Sequence, residues 1–128
     1  MILVNNQNNN AMKKIYHLGN CGTCQKIIAE LDGGRGCELQ EIKTQKISPE
    51  QLDAMKELAG SYEALFSRKA MKFRSMGLAE KQLSENDYRQ LILDEYTFLK
   101  RPVIIVGNEI FIGNAGKSVK AAKEKLGL

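Results

Sequence analysis

Cys21 and Cys24 stand three residues apart in Gly19-Asn20-Cys21-Gly22-Thr23-Cys24-Gln25-Lys26. The run joins a short apolar stretch, Lys14-Ile15-Tyr16-His17-Leu18, to an amphipathic one in which Cys24, Ile27, Ile28 and Leu31 recur at i, i+3, i+4 and i+7. A strand feeding a helix through such a turn puts Cys21 at the helix N-terminus, among N–H groups that have no intrahelical partner. Their field favours the thiolate, the reactive form of a side chain that otherwise ionises near pH 8.5. A second thiol one turn along is placed to capture whatever the first one binds. Cys21 therefore reads as a nucleophile and Cys24, on the apolar face, as a resolving thiol.

Two other readings of these sulfurs stay open. The thiols could be a buried structural pair, since unoxidised cysteine packs as a small hydrophobe. His17, Cys21, Cys24 and Cys37 could be counted as four zinc ligands, although the spacing lacks a second CxxC or a paired histidine motif. No metal is expected on this count. Cys37 itself falls in an alternating stretch, where a buried small side chain is the expectation rather than a third reactive thiol.

Composition bounds the wider class. The chain has 128 residues, 43% hydrophobic and 27% charged, as a globular protein of one-domain length does. Its formal charge of +4 comes without a run of five cations or a basic stripe interleaved with aromatics, so direct nucleic-acid binding is not expected. The lysines at 117, 120, 123 and 125 read as a solvated helix face. Neither a membrane span of about 20 apolar residues nor a secretory leader is expected. An odd cysteine count without an export signal suggests a reducing, cytoplasmic setting. Residues 1–12, with Asn-Asn-Gln-Asn-Asn-Asn at 5–10, read as a polar appendage that cannot offset its own ordering entropy.

The elements that must position the cysteines follow from local chemistry. A strand at 14–18 leads to a helix from about 22 to 31, broken by Asp32-Gly33-Gly34-Arg35-Gly36, and then to a strand at 37–42. A βαβ unit of this length places the two strands parallel, with a right-handed crossover. Ser48-Pro49-Glu50-Gln51 is an N-cap, a proline at the first helical position and a glutamine at N3. That helix turns Leu52, Met55 and Ala59 inward and stops at Gly60. One or two short helices are expected between 61 and 78. Ser84, with Asp87 at N3, caps another helix whose inner face carries Tyr88, Leu91 and Ile92. Val103-Ile104-Ile105-Val106 is a buried strand, Gly107-Asn108-Glu109 a turn, and Ile110-Phe111-Ile112 the returning strand. A helix over about 117–126 closes at Gly127, a preferred C′ residue.

The order β-α-β, helical insert, β-β-α gives an α/β protein with a four-stranded mixed sheet flanked by helices. It resembles the thioredoxin-like layout, with residues 13–128 as one domain carrying a helical insert at about 49–98. In such sheets the proline at the entrance to the third strand is cis and its loop faces the cysteine motif. The layout thus implies a cis Arg101–Pro102 bond and Arg101 beside the cysteines.

Residues 14–126 further resemble the arsenate reductase (ArsC)/Spx family. The likeness rests on Asn20-Cys21-Gly22-Thr23-Cys24, Leu65-Phe66-Ser67-Arg68-Lys69, Met76-Gly77-Leu78, Leu99-Lys100-Arg101-Pro102-Val103-Ile104 and the hairpin to Gly113. It implies a thiol-dependent oxidoreductase in which the residue at Cys21 attacks arsenate and arginines at Arg68 and Arg101 hold the oxyanion. Guanidinium forks suit that task, because they bind an oxyanion bidentately and lower a nearby thiol pKa. The implied partners are a small oxyanion or disulfide and a thiol reductant, namely glutathione, glutaredoxin or thioredoxin, with no bound cofactor. The sequence departs from the reductases at two points: Gly113-Asn114 follows the hairpin where they carry a third arginine, and Cys24 stands where serine is common. The CxxC form instead resembles the Spx side, which implies an alternative, a redox-sensing regulator that binds RNA polymerase. Gly60 falls where that branch has a loop glycine.

Overall fold

The computed structural model describes residues 12–128, so the expected appendage lies outside the described residues except for Met12. The chain divides into two compact units: residues up to Glu41 together with Arg101–Leu128, and Ile42–Lys100.

The first unit is built on a four-stranded sheet. Its strands are β1 (Lys13–His17), β2 (Glu38–Glu41), β3 (Val103–Val106) and β4 (Glu109–Ile112), in the spatial order β2-β1-β3-β4. β1 and β2 run parallel with Ile15 opposite Leu39, as the βαβ reading requires. β1 is antiparallel to β3, and β3 to β4, with Ile104 facing both Ile15 and Phe111. The crossover helix α1 (Gly22–Glu30) and the last helix of the chain (Gly116–Lys125) belong to the same unit. Ile15, Ile104 and Val106 from the strands meet Ile27 and Leu31, from α1 and its C-cap, and Val119 and Ala122, from the last helix. Each large side chain here gains about 1.5–3 kcal/mol from leaving water. The alternate strand residues Lys14, Tyr16, Val103 and Ile105 are buried too. Lys14 is accommodated by an ion pair to Glu38, its register partner, at 3.3 Å and by the Tyr16 ring at 4.9 Å.

The second unit contains α2 (Pro49–Ala59), α3 (Met71–Ser75) and α4 (Glu85–Asp94), linked by short 3-10 turns at Glu63–Leu65, Leu78–Glu80 and Tyr96–Phe98. Both predicted capping boxes form. Ser48 Oγ accepts from Gln51 N at 3.0 Å while Ser48 N donates to Gln51 Oε1 at 3.1 Å, and Ser84 pairs in the same way with Asp87. Gly60 closes α2 in the left-handed conformation, φ 95°, as a helix-terminating glycine does. Phe66 is the centre of this unit, stacked on Phe98 at 5.0 Å and tilted against Tyr88 at 4.9 Å. Asp53 takes the guanidinium of Arg89 at 2.8 and 3.2 Å and the Tyr62 hydroxyl at 2.5 Å, which ties α2 to α4.

Four expectations need correction. Cys37 lies just before β2, where its N–H donates to Gly34 O at 2.9 Å and closes the glycine-rich turn. Glu109 belongs to β4, paired with Val106, so the hairpin turn is Gly107-Asn108 alone, glycine first. On α4 the fully inward residues are Tyr88, Ile92 and Leu93, with Leu91 only half-buried. The last helix, α5 (Gly116–Lys125), starts and ends one residue earlier than expected.

Candidate active site

Cys21 is the N-cap of α1, with extended backbone (φ −98°, ψ 114°), half-buried at the end of the loop that leaves β1. Local bonds fix that loop. Cys21 N donates to Leu18 O at 3.1 Å, Gly19 N donates to a carboxylate oxygen of Glu41 at 2.9 Å, and Gln25 Nε2 donates to Gly19 O at 2.6 Å. A Cβ on Gly19 would come within 3.2 Å of Glu41 Cγ, so glycine keeps the loop seated on the end of β2. Gln25 and Glu41 are positioning residues that a search for reactive side chains passes over, because nothing in a CxxC pattern marks them.

The first turn of α1 carries no acidic side chain to oppose an anion. The Cys21 sulfur makes no side-chain capping hydrogen bond. Burial works against its ionisation, yet the Cys24 N–H, the Cys24 thiol, the Thr23 N–H and the Arg101 guanidinium together outweigh burial and hold the thiol below its ordinary value. Cys24 is driven the other way. It is fully buried, and burial, together with the neighbouring Cys21, pushes its thiol up to about 11. The two cysteines are unoxidised, and each bears on the other's ionisation. One sulfur is thus an accessible incipient anion, and the other a protonated reserve beside it.

Arg101 reaches this site from the far side of the insert. Its bond to Pro102 is cis, as the layout implies, and Pro102 O accepts from Gly113 N at 2.9 Å, which ties the loop to the end of β4. The Arg101 charge acts on both sulfurs, so the structure groups Cys21, Cys24 and Arg101. Arg68 belongs to the second unit, where its Nη2 donates to Glu63 Oε2 at 2.9 Å and to the Tyr88 hydroxyl at 2.7 Å. His17 ends β1 and Cys37 precedes β2. Among the described residues, no three His, Cys, Asp or Glu side chains gather as metal ligands would. Nor is any helix among them long and apolar enough to cross a membrane.

The chain is similar to several solved structures. An arsenate reductase from Vibrio cholerae shares 22% identity and superposes with a TM-score of 0.68, covering 89% of this chain and 98% of the other. An arsenate reductase (ArsC) related protein from Brucella melitensis shares 24% identity, with a TM-score of 0.65 and coverage of 86% and 92%. A Staphylococcus aureus protein, SACOL0876, shares 25% identity, with a TM-score of 0.71 and coverage of 86% and 97%. Among curated proteins none matches. The sequence pattern of the ArsC family matches residues 16–122, spanning the cysteine pair, the insert, both arginines and most of α5. The fold, the cysteine pair at its helix mouth and this match agree, and the chain belongs to the ArsC family.

Proposed function

We propose that the protein is a thiol-disulfide oxidoreductase, arsenate-reductase-like in its chemistry, with Cys21 as nucleophile and Cys24 as resolving thiol. The single observation that carries this is the opposite setting of the two neighbouring sulfurs, one biased toward the anion and the other held as thiol. Cys21 attacks the oxidised substrate and forms a covalent adduct. Cys24 then gives up its proton and attacks Cys21, leaving an internal disulfide and releasing the reduced product. An external thiol of the glutathione, glutaredoxin or thioredoxin class restores the dithiol by two exchanges, so electrons balance without a bound cofactor. Arg101 stabilises the thiolate, and Arg68 is proposed as a second oxyanion ligand that would exchange Glu63 for substrate.

The test is turnover of arsenate and of a small disulfide with excess reduced thiol. Activity that disappears in Cys21→Ser, and that in Cys24→Ser builds up the covalent adduct and turns over only as fast as the external thiol resolves it, is the expected outcome. Absence of turnover, together with stoichiometric, oxidation-dependent binding to the C-terminal domain of the RNA polymerase α-subunit, would replace it with the regulator reading. Gly60 gives that alternative no particular support, since its left-handed backbone is what ending α2 requires.

A further inference from the structure

A groove of about 490 Å³ opens beside the cysteine motif, between α1 and α5. Thr23, Lys26, Ile27 and Glu30 line it from α1, Val119, Lys120 and Lys123 from α5, and Asn114 and Gly116 from the start of α5. Three lysines against one carboxylate give the groove net positive charge, and none of the three is in an ion pair among the described residues. Lysines on two different helices converge there, which a merely solvated face of one helix does not require. Thr23 joins the groove to the chemistry, because its N–H acts on the Cys21 sulfur while the residue lines the groove. Asn114 enters where an arginine is expected by resemblance to the reductases, so the positive charge on this side of the site comes from α1 and α5 instead.

We propose that this groove selects the disulfide that Cys21 attacks: a small molecule carrying carboxylates on the groups flanking its S–S bond. The inference rests on the reading of Cys21 as nucleophile. The Cys21 thiolate displaces one half of the disulfide as an anionic thiolate and keeps the other half as a mixed disulfide. Cys24, losing its proton to solvent, then displaces the second half. The volume suits a ligand of that size, within the few-hundred-Å³ range of small-molecule sites. The lysines raise the local concentration of anionic disulfide and stabilise each departing thiolate.

The experiment compares the dianionic dithiobis(nitrobenzoate) with the neutral dithiodipyridine, in a Cys37→Ser background, by stopped-flow release of the coloured thiol. The readout is the ratio of the two rate constants, which cancels any change in Cys21 ionisation. Lys120→Gln and Lys123→Gln should each lower the ratio roughly threefold and the double variant roughly tenfold, while Glu30→Gln should raise it roughly threefold. Added salt should shrink the wild-type ratio toward that of the double variant. A ratio equal in wild type and double variant, or insensitive to salt, overturns the proposal. The absolute rate with the neutral disulfide at pH 7 judges the nucleophile separately. If it matches an ordinary thiol, the oxidoreductase reading fails, while the ratio, measured at pH 9 where exposed thiols ionise, still decides on the groove.

Discussion

The Cys24 thiol neighbours the Cys21 sulfur, and this pairing favours the anion at Cys21 while disfavouring it at Cys24. Burial is the largest influence on each of them. It is overcome at Cys21 by the helix N–H groups, the Cys24 thiol and Arg101, and it prevails at Cys24. The two thiols are therefore unequal: their settings favour the anion at Cys21 and oppose it at Cys24.

Alkylation against pH, with the modified residue located by mass spectrometry, should show Cys21 reacting with a midpoint below that of a free thiol. Cys24 should resist until the pH approaches 11. In Cys21→Ser the Cys24 midpoint should fall but stay above the free-thiol value, because burial remains. A Cys21 midpoint at or above the free-thiol value would remove the activated nucleophile.

Resolution should lag behind capture. With Cys24 protonated near neutrality, a disulfide probe should release its first thiol quickly and its second more slowly, the second step quickening as pH rises. The adduct on Cys21 removes its neighbour's opposition, so Cys24 then faces burial alone. Two releases with identical pH profiles would contradict this order.

Arg101→Gln removes a positive charge that acts on both sulfurs. The expected result is a Cys21 titration shifted upward and reaction with a neutral disulfide at pH 7 slowed roughly three- to tenfold, with Arg101→Lys largely restoring the rate. Unchanged kinetics would show that the N–H groups of α1 alone set the thiol.

Glu63 and a substrate oxyanion compete for Arg68 in the proposed reaction. Glu63→Gln should then lower the KM for arsenate by roughly two- to fivefold with little change in kcat, and Arg68→Gln should raise it roughly ten- to a hundredfold. If Arg68→Gln leaves the KM unmoved, Arg68 serves only its bonds to Glu63 and Tyr88.

Asp53 is held at about 2 by the hydrogen bonds from Arg89 and Tyr62. A folded-state pKa below the unfolded value of about 3.9 stabilises the native state fully above pH 4. That contribution is lost as pH falls through about 2. Thermal denaturation should show Asp53→Asn less stable than wild type at pH 6, with the gap narrowing between pH 4 and pH 2. A constant gap would mean that the pair does not report on folding.

What the residues revealed in advance was what short-range chemistry decides. Ser48 with Gln51, and Ser84 with Asp87, each satisfy a helix end within four residues, so type and spacing sufficed. The 61–78 stretch was legible only as one or two short helices, because its geometry follows from Phe66 gathering Phe73, Tyr88 and Phe98 from positions up to 32 residues distant. Cys21 and Cys24 announced themselves, and Arg101 did so through its proline. The hold of Glu41 on the Gly19 loop spans 22 residues and has no periodic signature. Lys120 and Lys123 read as the solvated face of one helix, and Lys26 carried no signal of its own. Their convergence exists only once α1 and α5 lie side by side.

The centre of the sheet pairs β1 with β3, and all of Ile42–Lys100 comes between them in the sequence. During synthesis the ribosome delivers the cysteines long before the strand that flanks β1 and the guanidinium that faces them. A nascent chain at that stage carries an incomplete sheet edge and a thiol without its counter-cation. Its sulfur then lacks the positive charge that Arg101 adds to the N–H groups of α1 and the Cys24 thiol. The full setting of Cys21 is assembled only when Arg101–Leu128 has emerged and docked.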